Sequence, residues 1–246
     1  MLNIYTLATR PEALSDLLSL DKSQDYKPIY LARPGMNLPV ILNSGGKTCL
    51  LKAHWGCQTE AATMPLCTFP MDRLLSQPPF NRWIHTQRCV VPANCFFAHR
   101  DNQGPSDRDG HDTFLIRLIQ SRLFLIGGLF MTEPRKNSYS FLLLTTESAD
   151  VLQHLTQQMP LLLSTDHLRT WLYSEHLIDV MHAADRSGDH WFDYYAVDHD
   201  IITPGNNRRD LLKPLGASLR EKEERDHKLR AIDVKQERFD RRGGKW

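Results

Sequence analysis

The chain has 246 residues, of which 41% are hydrophobic and 24% charged, and its 30 Lys and Arg nearly cancel its 29 Asp and Glu. That composition belongs to a globular chain long enough to bury a sizeable core, and it excludes a strongly basic nucleic-acid coat protein. No apolar run reaches the ~18–20 residues that a membrane helix needs. The early Arg10, Glu12 and Asp16 argue against a secretory signal, and five cysteines without a C-x-x-C spacing point to reduced thiols, a cytoplasmic setting and no zinc framework.

Taken in order, Pro11 to Leu20 carries Leu14, Leu17 and Leu18 at helical spacing. Thr9 precedes it as an N-cap, with Glu12 three residues on. Pro39 to Leu42, Cys49 to Trp55, Cys89 to Phe97, Thr113 to Leu118, Leu123 to Met131 and Tyr139 to Thr145 are rich in branched and aromatic residues and bounded by turn residues, which predicts strands. Ser121-Arg122 between two of them predicts a short hairpin link. Helices are expected over Pro78 to Thr86, Ser148 to Gln157, Thr165 to Leu172 and Ser174 to Ala184, and a late strand over Trp191 to Val197. Strands dominate the middle and helices surround them, so the class is α+β.

The charge is unevenly spread. Ala217 to Trp246 holds ten Lys and Arg against seven Asp and Glu, a net of +3, which leaves the preceding body at −2. Glu221–Arg225, Glu224–Lys228 and Asp226–Arg230 are acid-first i,i+4 pairs, so this tail predicts a charged helix after a domain spanning residues 1–216. Such a helix is either a solvated appendage or a contact for a protein or nucleic-acid partner.

Generic motifs are sparse. Gly127-Gly128 sits inside an apolar strand, where close packing or a bulge explains it better than phosphate binding. His54-Trp55-Gly56-Cys57 lacks a third orienting group for thiol chemistry. Asp198-His199-Asp200 is a turn or strand end before it is a metal site, because adjacent strand residues face opposite ways.

Several segments in order carry more. Leu31 to Ile41 followed by His54-Trp55-Gly56 resembles an "APxxxxPV…WG" opening. Arg88-Cys-Val-Val-Pro-Ala-Asn-Cys-Phe-Phe-Ala-His99 resembles "RRCLIPADGFYEW". Phe124 to Phe130 with Ser140 to Ala149 resembles "FAGLW…FTILTTxA", and Leu152 to Leu163, with Met159-Pro160, resembles "VxxIHDRMPVIL". Trp171-Leu172 and Asp210 to Pro214 match the closing "WL" and "LIxP". Together these resemble the SRAP family, the SOS-response-associated peptidase or abasic-site processing proteins, over residues 1–216. The resemblance implies a twisted, partly closed β-sheet with surrounding helices, to which this chain adds its C-terminal charged helix. It also implies a cleft for single-stranded DNA, no cofactor, and a cysteine after Met1 whose amine and thiol trap an abasic-site aldehyde. An asparagine, a glutamate and a histidine assist in that chemistry.

The departures fall on those positions. Leu2 stands for the cysteine, Ala98 for the glutamate, Thr156 for the histidine and Thr68 for the asparagine, with Arg73 the alternative register for the arginine of the "NARxE" motif. The expectation is therefore a DNA-damage-response protein that binds single-stranded DNA without the covalent cysteine chemistry. Arg73, Arg82 and Arg88 are candidates for phosphates, and Trp55 is either a base-stacking or a core residue. The alternatives are an active abasic-site enzyme using a non-standard residue or the Met1 amine, of pKa about 7.7–8.0, and a scaffold recruiting a protein partner through the tail. His154 lies two residues before Thr156, a shift that turns a helical side chain by about 200° and away from the histidine's place. Cys95 and His99 share a strand face but lie about 13 Å apart at ~3.3 Å per residue, which defeats direct contact.

Overall fold

In the computed structural model, which describes residues 3–59, 63–100, 112–133, 138–184, 192–218 and 221, the strand-forming runs sort into two sheets. Strands β1 (Tyr5–Leu7), β2 (Lys22–Ser23), β3 (Ile29–Ala32), β4 (Asn37–Ser44), β5 (Lys47–Trp55) and β6 (Thr68–Pro70) come first. They are followed by β7 (Arg88–Ala93), β8 (Cys95–His99), β9 (Thr113–Leu118), β10 (Phe124–Glu133) and β11 (Ser138–Glu147). Two short strands, β12 (Gln158–Pro160) and β13 (Leu162–Leu163), precede β14 (Phe192–Ala196). Helices α1 (Pro11–Leu18), α2 (Phe80–Thr86), α3 (Leu168–Tyr173) and α4 (Leu177–Ala184) pack around them.

The larger sheet curls into a barrel. β4 and β5 form a hairpin whose turn residues Gly45 and Gly46 have φ of +62° and +79°, the left-handed conformations that a two-residue turn requires and glycine supplies. Around the ring, β4 pairs with β7, β7 with β10, and β10 with β11. The ring closes where β11 runs parallel to β5, Ser140 beside His54 and Phe141 beside Trp55. The ends of β10 and β11 then diverge, and β12 and β13 fill the fork: Gln158 to Pro160 pairs with β11, and Leu162–Leu163 with β10. On the other flank of β11, β6 runs parallel beside Leu143 to Thr145.

The second sheet, in the order β14-β9-β8-β1-β3, covers the barrel. Its inner side chains, including Tyr5, Phe96, Ala98, Phe114 and Ile116, join the main core. Its outer face carries a separate cluster built from Ile4, Leu31, Cys95, Phe97, Leu115, Tyr195 and Ile201.

The glycine pair in β10 packs closely, as its apolar setting predicts. A Cβ at Gly127 would lie 2.9 Å from Leu161 Cδ2, and one at Gly128 would lie 2.6 Å from the Leu142 carbonyl oxygen. α3 presses Trp171 against the same place, and its indole N–H donates to the Cys89 carbonyl at 2.9 Å.

Three local expectations are corrected. The run from Cys89 to Phe97 is two strands in two sheets, broken at Asn94. Ser121-Arg122 links no hairpin, because β9 belongs to the covering sheet and β10 to the barrel. Ser148 to Gln157 forms a short 3-10 turn at Asp150–Leu152 and further turns, since β12 must double back along β11 within a few residues. The cap of α1 also differs. Arg10 occupies the N-cap position without a side-chain cap, and the Thr9 hydroxyl accepts instead from Asn94 Nδ2 at 3.0 Å. Near the end, Ser218 and Glu221 exchange hydrogen bonds of 3.1 and 3.3 Å, the reciprocal pattern of a capping box at a helix start. The rest of the charged tail, residues 219–220 and 222–246, lies outside the described residues.

Because the Gly128 methyl would meet backbone at 2.6 Å and the Gly127 methyl only the side chains of Leu161 and Trp171, Gly128→Ala is expected to cost about 1–3 kcal/mol and Gly127→Ala less. Urea unfolding midpoints of the two variants check the order, and equal midpoints would contradict the packing described.

Candidate functional site

The positions that carry chemistry in the resembling motifs are placed by different elements. Leu2 lies outside the described residues. Thr68 opens β6 beside Leu143 and is half-buried. Thr156 ends the turn before β12, is buried, and donates its hydroxyl to the Gln158 carbonyl at 2.9 Å. Gln158 in turn accepts at Oε1 from the Thr145 hydroxyl at 2.8 Å. Thr145 pairs with Pro70 on one side and Pro160 on the other. Thr68 and Thr156 therefore flank the same end of β11.

Ala98 comes from the covering sheet. It is fully buried, pairs with Phe114, and points into the main core. The Phe114 ring meets the Tyr194 ring edge-on at 6.1 Å, and Tyr194 Oη is hydrogen-bonded to His154 Nε2 at 2.9 Å. That chain of contacts links Ala98 to the turn that carries Thr156. The 200° argument for His154 assumed a helix. In the observed turn, His154 is exposed and faces β14 through Tyr194. The reading of residues 148–157 as a helix hid this imidazole and phenol pair, and nothing in the local sequence marks Tyr194 as its partner.

Two of the four candidate DNA contacts are interior. Trp55 is 1% exposed, stacks on Phe141 with ring centroids 6.0 Å apart, and donates its indole N–H to the Cys67 carbonyl at 2.8 Å. Core packing, one of its two readings, is what these contacts describe. Arg88 is 5% exposed, and its guanidinium donates to the carbonyls of Ile84, His85, Trp171 and Ser174. Burial lowers its pKa, since desolvation penalises the charged form. It ties α2, α3 and β7 together, and a guanidinium spent on four carbonyls has no fork left for a phosphate.

Arg73 and Arg82 are exposed. Both sit on the segment between β6 and β7, which an aromatic stack pins to the barrel. The Phe69 and Phe80 rings lie 3.8 Å apart, and Trp83 meets Phe80 edge-on at 5.4 Å. Trp83 is half-buried and adjacent to Arg82, which makes it an aromatic on the basic ledge that motif reading missed.

The cysteines offer no activated thiol. Cys95 is 6% exposed on the outer face of the covering sheet, and burial pushes its pKa up to about 12. His99 interacts with Thr113 Oγ1 at 3.2 Å and not with Cys95. Cys67, beside Thr68, is half-buried, and desolvation raises its pKa as well. The Asp198-His199-Asp200 segment is a capped turn: Asp198 accepts from the Asp200 amide at 2.9 Å. No cluster of metal-ligating side chains occurs among the described residues.

A five-strand barrel covered by a second sheet, with Thr68 and Thr156 beside β11 and Ala98 in the covering sheet, defines a class of α+β protein assembled from segments far apart in the chain. The chain belongs to the SRAP family, SOS response associated peptidase, whose model matches residues 1–204. It is 25% identical over 227 residues to the abasic site processing protein YoaM of Bacillus subtilis, covering 85% of this chain and 96% of that one. It is 23% identical over 228 residues to YoqW, another abasic site processing protein of the same organism, covering 85% of this chain and 97% of that one. Among solved structures, it resembles a Bacteroides thetaiotaomicron protein with a TM-score of 0.71 and 14% identity, covering 87% of this chain and all of that one. A phage-related protein from Bordetella bronchiseptica gives 0.64 and 16%, covering 79% and 93%.

Two outcomes follow from the burial pattern. Arg88→Ala strands four carbonyls, those of Ile84 and Trp171 in the interior, and is expected to cost at least about 2–3 kcal/mol, whereas Arg73→Ala stays within ~0.5 kcal/mol. Chemical denaturation of both variants checks the contrast. At pH 8, iodoacetamide is expected to label Cys67 ahead of Cys49, Cys57, Cys89 and Cys95, because only Cys67 is less than fully buried. Mass spectrometry of the native protein reads the order, and early labelling of Cys95 would contradict the protonated, buried thiol.

Proposed function

We propose that this protein acts in DNA-damage handling by binding single-stranded DNA at the SRAP site without forming the family's cysteine adduct. The observation that carries this reading is that the fold is kept while the motif positions Leu2, Thr68, Ala98 and Thr156 hold no thiol, carboxylate or imidazole. What supports the binding half is the ledge of Arg73 and Arg82 with Trp83 between the Phe80 ring and solvent. Guanidinium groups track a phosphate backbone, and an aromatic face accepts any base. The body is slightly acidic, so binding rests on this local cluster rather than on net charge.

The hydrogen bond between His154 and Tyr194 favours a second reading, in which some abasic-site chemistry survives. The Met1 amine condenses with the ring-opened aldehyde, expelling water and forming an imine. His154, held by the phenol, then takes the proton α to the imine carbon so that the 3′ phosphate departs by β-elimination.

The two readings separate in one series. Fluorescence anisotropy with a short single strand is expected to show binding that weakens steeply with salt. Arg73→Glu with Arg82→Glu should reduce it at least ten-fold. Abasic single strands should give no heat-stable adduct on a denaturing gel. Salt-insensitive or absent binding sinks the first reading. A borohydride-trapped band together with strand cleavage, with the cleavage lost and the band retained in His154→Ala, would establish the second.

A further inference from the structure

The outer face of the covering sheet carries a pocket unrelated to the motif positions. Its volume is about 590 Å³, within the range of small-molecule sites. Its floor is Cys95, Leu115 and Tyr195, all members of the outer cluster, whereas Ala98 and Phe114 point through to the other side. A full sheet therefore separates it from the site around β11.

Among the described residues, three charged groups face this pocket: Arg117 from β9, Asp193 from β14 and Arg122 from the β9–β10 link. Asp193 is 3% exposed at its side chain and takes both Arg117 Nε and Nη2 on its Oδ2, at 3.2 and 2.9 Å. That pair neutralises the buried carboxylate and fixes the guanidinium, which is itself 50% exposed, over the Tyr195 ring at 5.4 Å. Arg117 Nη1 makes no hydrogen bond among the described residues. The Arg122 side chain is exposed, and among the described residues only its main-chain carbonyl is engaged, accepting from Asn94 Nδ2. One arginine is thus pre-oriented by a buried carboxylate, a second stands at the rim, and the described lining carries a net charge of +1 above an apolar floor.

We infer that this pocket is a binding site for a small organic monophosphate, with the phosphate between Arg117 and Arg122 and a flat apolar body on the floor formed by Leu115 and Cys95. A guanidinium presents parallel donors that match two phosphate oxygens, and holding it against Asp193 removes much of the entropy lost on binding. A bare anion would leave most of the volume and the whole apolar floor unused.

Calorimetric titration of the full chain at low ionic strength tests this. Phenyl phosphate and 2′-deoxyadenosine 5′-monophosphate are expected to bind at least ten-fold more tightly than inorganic phosphate, and deoxyadenosine at least ten-fold more weakly than its monophosphate. Arg122→Ala, a surface change that leaves the fold alone, should weaken phenyl phosphate at least ten-fold. The double variant Arg117→Gln with Asp193→Asn, which removes the pair without stranding a carboxylate, should weaken it further. Neither should alter binding of short single-stranded DNA, so the result is independent of the function proposed above. Inorganic phosphate binding as tightly as the organic phosphates, unchanged affinity in both variants, or a loss of oligonucleotide binding in Arg122→Ala would overturn the inference.

Discussion

Closure of the barrel between β5 and β11 is the constraint on which the rest of the structure depends. The pairing is short, with Ser140 beside His54 and Phe141 beside Trp55, and it is parallel. Parallel pairing of so few residues is weak alone, and Trp55 supplies what the ladder lacks. Its ring stacks on Phe141 and meets Tyr5 from the covering sheet at 5.3 Å. Its N–H caps the Cys67 carbonyl, which also accepts from the Leu143 amide at 3.0 Å. One indole thereby joins the barrel seam, the second sheet and the start of β6. Thr68 lies where it does because Cys67 is held on both sides. A tryptophan committed to this junction is unavailable to a DNA base, and the sequence motif around Trp55-Gly56 describes a structural keystone.

Asn94 is a second junction. Its Oδ1 accepts from the Ala8 and Thr9 amides at 2.6 and 3.2 Å, and its Nδ2 reaches the Thr9 hydroxyl and the Arg122 carbonyl. The chain turns there from the barrel into the covering sheet. Near-continuous apolar residues run up to the corner and on from it, so nothing in the hydrophobic pattern announces that β7 and β8 part company. Most strands were legible because their interiors are branched or aromatic. β1, β2, β3, β6, β12 and β13 were not, since two to four residues carry no period and are held by neighbours elsewhere in the chain. The turn holding His154 was misread for a related reason. Its leucines sit at helical spacing, yet Leu152 and Leu155 are buried by the fork in the barrel and not by a helix face.

The site was legible as a set of positions and illegible as a surface. Ordered motifs pointed to Thr68, Ala98 and Thr156, of which Thr68 lies beside β11, Thr156 in the turn before β12 and Ala98 in the interior face of the covering sheet. Exposure could not be read in the same way. Arg73, Arg82 and Arg88 look alike in a sequence, but Arg88 follows α2 directly, where the Ile84 and His85 carbonyls lack helical partners and need a donor. In this chain that arginine serves a helix end.

The replaced positions also change what the core must support. Ala98 is fully buried among Phe114, Ile116 and the barrel interior. A glutamate there would have to be desolvated, and its pKa would rise unless a cation or several donors met it. Arg88, the nearest cation in the motif, is already committed to four carbonyls on the far end of β7. Likewise, Thr156 turns its hydroxyl back onto the Gln158 carbonyl and closes a hydrogen bond locally. Small neutral residues at these two buried places bring no charge into the interior, so neither needs a cation or a set of donors around it. Trp55, Asn94 and Arg88 hold the frame through hydrogen bonds that involve neither position, so the architecture stands independently of what occupies them.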